Sequence, residues 1–374
     1  MKLLYNLIPI QPLRSKRHGG GRYGEAVIKY IIINNINVVC VYDSKKWINP
    51  EIIELISSRH VILYDINSIN IPSIIEKENI QVYYTPLISK DTIGEWNCKM
   101  VGTIHGLRSI EMPADYMYCK YKGIKNIYLY LAYKLAGFMI RKIKISSLDS
   151  ILSQKNFFPV TVSNYSSSQI KRYFSFEKPL PVCYSPSTYD KENIVNRVYT
   201  EKYYLLVSAF VPFKNGLRAI MAFDNLFDKG ELDGVRVKIT GIDICHKYRY
   251  KLRNRERFDF LGFVSDQELE QLYHDAYCLV YPSLNEGFGY PPIEAMHYGV
   301  PVIASQATSI PEVCGDAALY FNPFSIEEMM DKIKQMQQES VRDACCGKVF
   351  KQYQTIHQRQ ERDLKVLIDY ICNV

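Results

Sequence analysis

The densest concentration of residues able to do chemistry is the string Tyr281-Pro-Ser-Leu-Asn-Glu286-Gly-Phe-Gly-Tyr-Pro-Pro-Ile-Glu294-Ala-Met-His-Tyr-Gly299-Val-Pro301. An apolar strand is expected to end at Tyr281, and Pro291-Pro292 suit the first turn of a helix behind a short loop. Gly287 and Gly289 let backbone amides approach an anion closely, and the positive end of the helix points to the same place. Glu286 falls in the loop and Glu294 inside the helix, so the two carboxylates can address different parts of one extended ligand. Beside a phosphate site a carboxylate is unfavourable unless it offsets positive charge or binds neutral hydroxyls. Sugar and ribose hydroxyls suit it, because an ionised carboxylate accepts strong hydrogen bonds.

This string resembles the E-x7-E signature of the retaining glycosyltransferase family 4, of the bacterial surface-polysaccharide type, whose fold is GT-B. The resemblance runs from about Tyr203 to Met336 and includes Ile310-Pro-Glu-Val-Cys-Gly-Asp-Ala-Ala-Leu. It implies that Glu286 contacts the transferred sugar and that Glu294 holds the nucleotide ribose. Gly287 and the amides of Phe288, Gly289 and Tyr290 are then expected around the donor sugar and diphosphate. Ser208-Ala-Phe-Val-Pro-Phe-Lys214-Asn215 resembles the family's phosphate loop, with Lys214 as a point charge that stabilises the leaving nucleotide. The family's accompanying arginine is missing, since Ala209 and Phe213 occupy its usual positions, and Arg218 is out of register. Phe263 and Val264 stand where the family receives the nucleotide base, while Ser265 and Asp266 suit a helix N-cap. Thr103-Ile-His105-Gly106-Leu-Arg108 resembles the family's histidine beside the acceptor, with Arg108 as a contact for an acceptor phosphate.

Two further stretches carry alternatives. Gly19, Gly21 and Gly24 match G-x-G-x-x-G, and Asp43 lies near the expected acidic position, which by itself supports an NAD-linked oxidoreductase. The glycines fall about ten residues beyond the first expected strand, whereas the fingerprint follows its strand directly. By the family resemblance, Gly20, Gly21 and Arg22 instead line the cleft close to donor phosphate and acceptor. Tyr116 to Leu148 holds seven Lys/Arg residues, no acidic residue, and many tyrosines and aliphatics. That mixture suits an interfacial helix on an anionic membrane. It also suits a buried helix with one basic side, and a nonenzymatic membrane-binding protein is the corresponding alternative function. No recognised nucleic-acid fold accompanies it, and no nucleic-acid partner is expected.

The elements that must position these residues follow from alternating apolar runs and amphipathic stretches, the pattern of parallel sheets wrapped by helices. Strands are expected near Lys2–Ile8, Asn37–Tyr42, His60–Tyr64, Gln81–Tyr84, Met100–His105 and Val160–Ser163. A second series covers Tyr203–Ser208, Val235–Gly241, Phe258–Leu261, Cys278–Tyr281 and Pro301–Ala304, followed by helical patterns over Ser325–Met336 and Ser340–Ile371 with no strand signal. The Gly19–Gly21 turn is expected to precede a helix starting near Tyr23. A length of 374 residues exceeds one core, so two domains are expected. With 47% hydrophobic and 23% charged residues the chain is not disordered. The net charge of +7 fits an anionic partner without choosing one. No run of about 20 apolar residues exists, so a spanning helix is not expected. The first ten residues read as a strand and not as a signal peptide. Ten cysteines without a C-x-x-C pair argue against a zinc site or disulfide framework and for reduced thiols in a cytoplasm.

The expected architecture is therefore α/β, GT-B, with two Rossmann-like doubly wound domains facing across a cleft. Residues 1–185 form the acceptor domain, 186–202 a linker, 203–350 the donor-nucleotide domain, and 351–374 a C-terminal helix packing back toward the first. The expected function is transfer, with retention and without metal or cofactor, from a nucleotide-diphosphate sugar to a glycan or lipid-linked acceptor in lipopolysaccharide or capsule synthesis. Glu286, His105 and Lys214 carry the catalysis. The expected location is cytoplasmic, peripheral on the inner face of the membrane.

Overall fold

The computed structural model describes residues 1–12, 19–88, 94, 96–112, 114–187, 189, 201–242 and 248–374. The expected linker 186–202 lies for the most part outside them. In chain order the elements are β1 (Leu3–Asn6), α1 (Gly19–Ile33), β2 (Val38–Tyr42), α2 (Pro50–Ser58), β3 (Ile62–Asp65), α3 (Ile71–Lys77), β4 (Val82–Thr85) and β5 (Lys99–Ile104). There follow α4 (Arg108–Glu111), α5 (Ile124–Leu152), β6 (Phe157–Thr161) and α6 (Asn164–Tyr173). The second series is β7 (Lys202–Leu206), α7 (Gly216–Asp228), β8 (Val235–Thr240), β9 (Phe258–Gly262), α8 (Asp266–Asp275), β10 (Cys278–Tyr281) and α9 (Tyr290–His297). It ends with β11 (Val302–Ser305), α10 (Ile310–Cys314), β12 (Ala318–Phe321), α11 (Ile326–Gln337) and α12 (Glu339–Asn373).

Among the described residues the strands form two six-stranded sheets, ordered β3-β2-β1-β4-β5-β6 and β12-β11-β10-β7-β8-β9. Every pairing within them is parallel. Both are doubly wound α/β sheets, and each reverses its strand order once, at β1/β4 and at β7/β10. Helices cover both faces of such sheets, which is why β1, β4, β10 and β11 are buried along their whole length and read as continuous apolar runs. Local signals start the helices. Asn49 and Asn70 cap α2 and α3 just ahead of their prolines, and Ser265 with Glu268 forms a capping box on α8.

The chain divides into two compact units, one of residues 1–107, 143–190 and 357–374, the other of 108–142 and 191–356. Segment 108–142 groups with the second unit although β5 and β6, which flank it in sequence, belong to the first sheet. Met117 and Tyr121 enter the second unit's apolar core, and Tyr121 bridges to Tyr248. In the first unit the end of α12 is tied to the strand-exit segment after β6. Asp363 Oδ2 accepts from the Tyr184 amide at 3.1 Å, and Gln360 Nε2 donates to the Ser185 carbonyl at 2.6 Å.

Two local expectations change. The helix after β1 begins at Gly19 and not near Tyr23. None of its glycines has a positive φ, and Gly24 serves close packing: a Cβ there would stand 2.4 Å from Ile10 Cγ2. A short 3-10 turn, Ile8–Ile10, separates them further from β1. Asp43 is occupied by Asn67 at 2.8 Å and Lys46 at 3.3 Å. A dinucleotide fingerprint is thus not built here, and the oxidoreductase reading falls. The second change is β12, absent from the expected strands. It is four residues long, and alanine, poor in strand preference, opens it. Among the described residues no helix is long and apolar enough to cross a membrane.

Candidate functional site

In an open doubly wound sheet, ligands bind beyond the carboxyl ends of the strands where the order reverses. In the second sheet that point is the exit of β7 and β10, which carry the loops 207–215 and 282–289. The two loops are sewn together by backbone and side-chain bonds. The Leu284 amide donates to the Phe213 carbonyl at 2.8 Å, and Asn215 Nδ2 donates to the carbonyls of Pro282 at 3.0 Å and Pro323 at 2.7 Å. Asn215 adopts a left-handed conformation to turn from this loop into α7. A Cβ on Gly216 would stand 2.6 Å from the Ala209 Cβ, so only glycine lets the two ends of the β7 loop close up.

The sewn loops bring Lys214 to Glu286. Lys214 Nζ donates to Glu286 Oε1 at 2.7 Å and to the Tyr281 hydroxyl at 3.2 Å. Ser283 Oγ donates to the same carboxylate, and Arg108 stands 3.9 Å from its other oxygen. Burial pushes the Glu286 carboxyl up, but Lys214 and Arg108 outweigh that and hold it below the usual glutamate range. It is therefore a charged acceptor of hydrogen bonds at neutral pH. Its backbone is fixed as well. The Glu286 amide donates to Thr308 Oγ1 at 2.9 Å, and Ser309 Oγ donates to the carbonyls of Glu286 at 3.0 Å and Phe288 at 2.8 Å.

Gly289, with φ of +113°, turns the chain into α9. Pro291 and Pro292 lack N–H groups, so the donors at this helix end are limited to the amides before them, from Gly287 to Tyr290. Glu294 sits within α9, 3% exposed, and accepts from the Tyr273 hydroxyl at 2.8 Å. In the loop after β9, Phe263 is 50% exposed and rests on Phe210, ring centroids 5.2 Å apart. Val264 follows it, next to the cap of α8. Exposed aromatic faces of this kind accept a planar base.

The remaining expected residues divide between the units. Arg108 belongs to the second, its guanidinium 3.7 Å from the centroid of the Phe213 ring. Arg218 is fully engaged, with Asp115 at 2.7 and 2.8 Å and with Asn215 Oδ1 at 3.0 Å. His105 belongs to the first unit, at the exit of β5. Its Nε2 lies 2.8 Å from the Pro86 carbonyl, and its ring meets Tyr23 edge-on at 4.6 Å. Because a carbonyl only accepts, Nε2 is the donor in that contact. Tyr23, Tyr84 and Thr103 form a buried hydroxyl triangle behind it, at 3.1, 3.0 and 2.8 Å. Gly20, Gly21 and Arg22 lie in the first turns of α1 in the same unit.

Supporting residues outside the motifs are Thr308, Ser309, Tyr273 and Asp115, while Tyr281 and Ser283 lie within the Glu286 string without an assigned role. The one local signal was the run Ser305-Gln-Ala-Thr-Ser309, small and polar at a strand exit. Thr308 takes a φ of +52° there, uncommon for a β-branched residue.

Residues 189–349 match the family model described as glycosyl transferases group 1. The chain is 36% identical over 149 residues to the O-antigen chain mannosyltransferase RfbU of Salmonella typhimurium, a stretch covering 40% of this chain and 42% of that protein. It is 48% identical over 80 residues to the O-antigen chain mannosyltransferase B of Escherichia coli, 21% of each chain. The matches thus span less than half the length of either relative. Among solved structures, the sucrose-phosphate synthase of Thermosynechococcus elongatus superposes with a TM-score of 0.70 over 99% of this chain and 98% of its own, at 13% identity, which is a likeness of fold. The two sheets and their helices have the GT-B fold, and the stretch that matches the glycosyl transferases group 1 model, residues 189–349, holds Lys214, Glu286 and Glu294.

Proposed function

We propose that this chain is a retaining glycosyltransferase that moves a sugar, mannose as in its O-antigen relatives, from a nucleotide-diphosphate sugar to a glycan or lipid-linked acceptor of a surface polysaccharide. The observation that carries the reading is the Lys214–Glu286 pair at the order reversal of the second sheet. It sets a cation for phosphate and a charged acceptor for sugar hydroxyls side by side. Glu286 binds the transferred sugar, Glu294 the ribose, and Phe263 and Val264 the base. The amides of Gly287, Phe288, Gly289 and Tyr290 surround the diphosphate.

In the reaction, the bond from the anomeric carbon to the diphosphate oxygen breaks and a bond to the acceptor oxygen forms on the same face. The acceptor's proton passes to the departing phosphate. Lys214 turns from Glu286 to that phosphate as its charge grows, so stabilisation is strongest where charge develops. We assign the neutralising task to side chains and amides, with no resident metal or cofactor. His105, with Gly20, Gly21 and Arg22 of the same unit, orients the acceptor hydroxyl.

The acceptor is presented at an anionic membrane surface through α5. Exposed apolar residues recur every three or four positions along its first part, before the backbone leaves helical geometry at Ala136: Ile124 (85% exposed), Tyr128, Leu131 and Leu135 (82%). That spacing places them on one face. At helical periodicity Lys125 borders this stripe on one side and Lys134 on the other. Apolar side chains flanked by cations suit a headgroup layer, each basic residue contributing about 1 kcal/mol and screened by salt. Vesicles rich in anionic lipid should retain the protein at low salt and release it at high salt. Replacing Lys120, Lys122 and Lys125 by Gln should weaken retention, and indifference to lipid charge and salt would return α5 to a purely structural role.

The transferase reading is tested by a thermal-shift panel of GDP-, UDP-, dTDP- and ADP-sugars, since ligand binding raises stability by mass action. At least one donor should raise the melting temperature. No shift with any donor would overturn the reading.

A further inference from the structure

We propose that Arg108 is the second cation of the donor diphosphate site, delivered there by the segment 108–121 and held by the Asp115–Arg218 pair. The inference rests on the transferase reading and extends it to a residue from outside the family-matched stretch.

Charge is the first reason. Each phosphate of the donor brings negative charge, and more develops as the sugar leaves. Lys214 is the cation of the phosphate loop, yet its charge is already offset by Glu286 at 2.7 Å. Lys214 and Glu286 together are neutral, so the pair adds no net positive charge against a diphosphate. Arg108, 3.9 Å from Glu286, turns the cluster positive. Arg218 cannot take this part, because Asp115 and Asn215 occupy its guanidinium in the interior.

Placement is the second reason. The Arg108 guanidinium lies over the Phe213 ring, the residue directly before Lys214, at 3.7 Å. That contact holds the guanidinium beside the phosphate loop. Its side chain is 43% exposed; Nε is buried without a hydrogen-bond partner, so the exposed part is the terminal nitrogens. An arginine held by its face, its terminal nitrogens in no closer contact than the 3.9 Å pairing with Glu286, can turn them to a phosphate.

The third reason is that the segment carrying Arg108 is fastened to the donor loops at several points. Asn285, the neighbour of Glu286, donates to Glu111 Oε2 at 2.9 Å. Asp115 takes both terminal nitrogens of Arg218 on α7 and also caps the Met117 amide at 3.0 Å. Met117 and Tyr121 are buried in the second unit's core. Asp115 is thus a positioning residue, acting through the segment and not on the ligand.

The test is calorimetric titration of wild type, Arg108→Gln, Arg108→Lys, Asp115→Asn and Lys214→Ala with UDP, GDP, UMP and GMP. Arg108→Gln should keep the ligand-free melting temperature and weaken the preferred diphosphate about tenfold or more, the effect of losing a charged hydrogen bond. The matching monophosphate should weaken less, and Arg108→Lys should recover part of the loss. Asp115→Asn should lower the diphosphate-to-monophosphate preference in the same sense, whereas a merely structural role would weaken both nucleotides equally. Diphosphate affinity within twofold of wild type in Arg108→Gln, with Lys214→Ala impaired, overturns this proposal and leaves the transferase reading standing. Failure of wild type to bind any of the four nucleotides would instead remove the transferase reading itself.

Discussion

Replacing Glu286 by Gln should have opposite effects on the two halves of the donor. In the free protein the carboxylate holds Lys214 at 2.7 Å and accepts from Ser283, so a diphosphate must compete with it for the lysine. Gln keeps an amide oxygen near the same place but no charge. A charged hydrogen bond contributes about 1.5–3 kcal/mol and is about twice as strong as a neutral one. Lys214 should therefore be released by about 0.8–1.5 kcal/mol, which makes free nucleoside diphosphate bind about threefold to tenfold tighter. The sugar, in contrast, loses its charged acceptor, and transfer should fall by more than about a hundredfold. Calorimetry with the diphosphate alone, beside turnover with the sugar nucleotide, separates the two. Weaker diphosphate binding in Glu286→Gln would refute the competition between carboxylate and phosphate, and wild-type turnover would refute the contact with the sugar.

Three further outcomes follow from the same geometry. Phe263→Ala should weaken nucleoside monophosphate and diphosphate alike, by about 1–3 kcal/mol for lost stacking; an unchanged affinity would place the base elsewhere. Tyr273→Phe removes the hydroxyl bonded to Glu294, leaving a buried carboxylate one donor short, and should lower stability by about 1.5–3 kcal/mol in denaturant melts. An unaltered midpoint would show Glu294 satisfied without it. Stability should also fall in acid. Glu286 is held below its ordinary range against the effect of burial, chiefly by Lys214 and Arg108, and Asp259 chiefly by its bond to Arg236. Their contribution is complete above the unfolded carboxylate values of about 4 and is lost as pH drops through the lower folded values. Melting temperatures should be flat near neutrality and decline below about pH 4, less steeply in Glu286→Gln; a rise on acidification would contradict the sign.

What the sequence showed and what it hid have different physical origins. Buried parallel strands are continuous apolar runs, so the strand ending at Tyr281 and the helix opened by Pro291-Pro292 were legible from local composition; Lys214 was singled out by the family resemblance, and the fold places it against Glu286. Gly19–Gly24 satisfied the spacing of a dinucleotide loop, but spacing does not reveal that these glycines pack inside a helix. β12 opens on an alanine and lies between two helices, so it did not stand out. Long-range pairings had no local signature at all. Nothing near Asp115 announces that it meets Arg218, and nothing near Arg108 announces that it reaches Phe213 and Glu286. The arginine that seemed missing at Ala209 or Phe213 was sought within one loop, whereas the fold supplies a guanidinium on top of Phe213 from a segment about a hundred residues earlier in the chain.

The central claim is sugar transfer from a nucleotide donor bound by the Lys214–Glu286 loops, and turnover measures it most directly. Wild type, Glu286→Gln and Lys214→Ala are incubated with radiolabelled GDP-mannose and, separately, UDP-glucose, together with lipid-linked glycan acceptors. Nucleoside diphosphate release and label in the lipid fraction are followed side by side. The account predicts equal release and incorporation for wild type with one donor, and neither for the two variants. A folded wild-type protein that consumes no donor, or variants that transfer as fast as wild type, would contradict it.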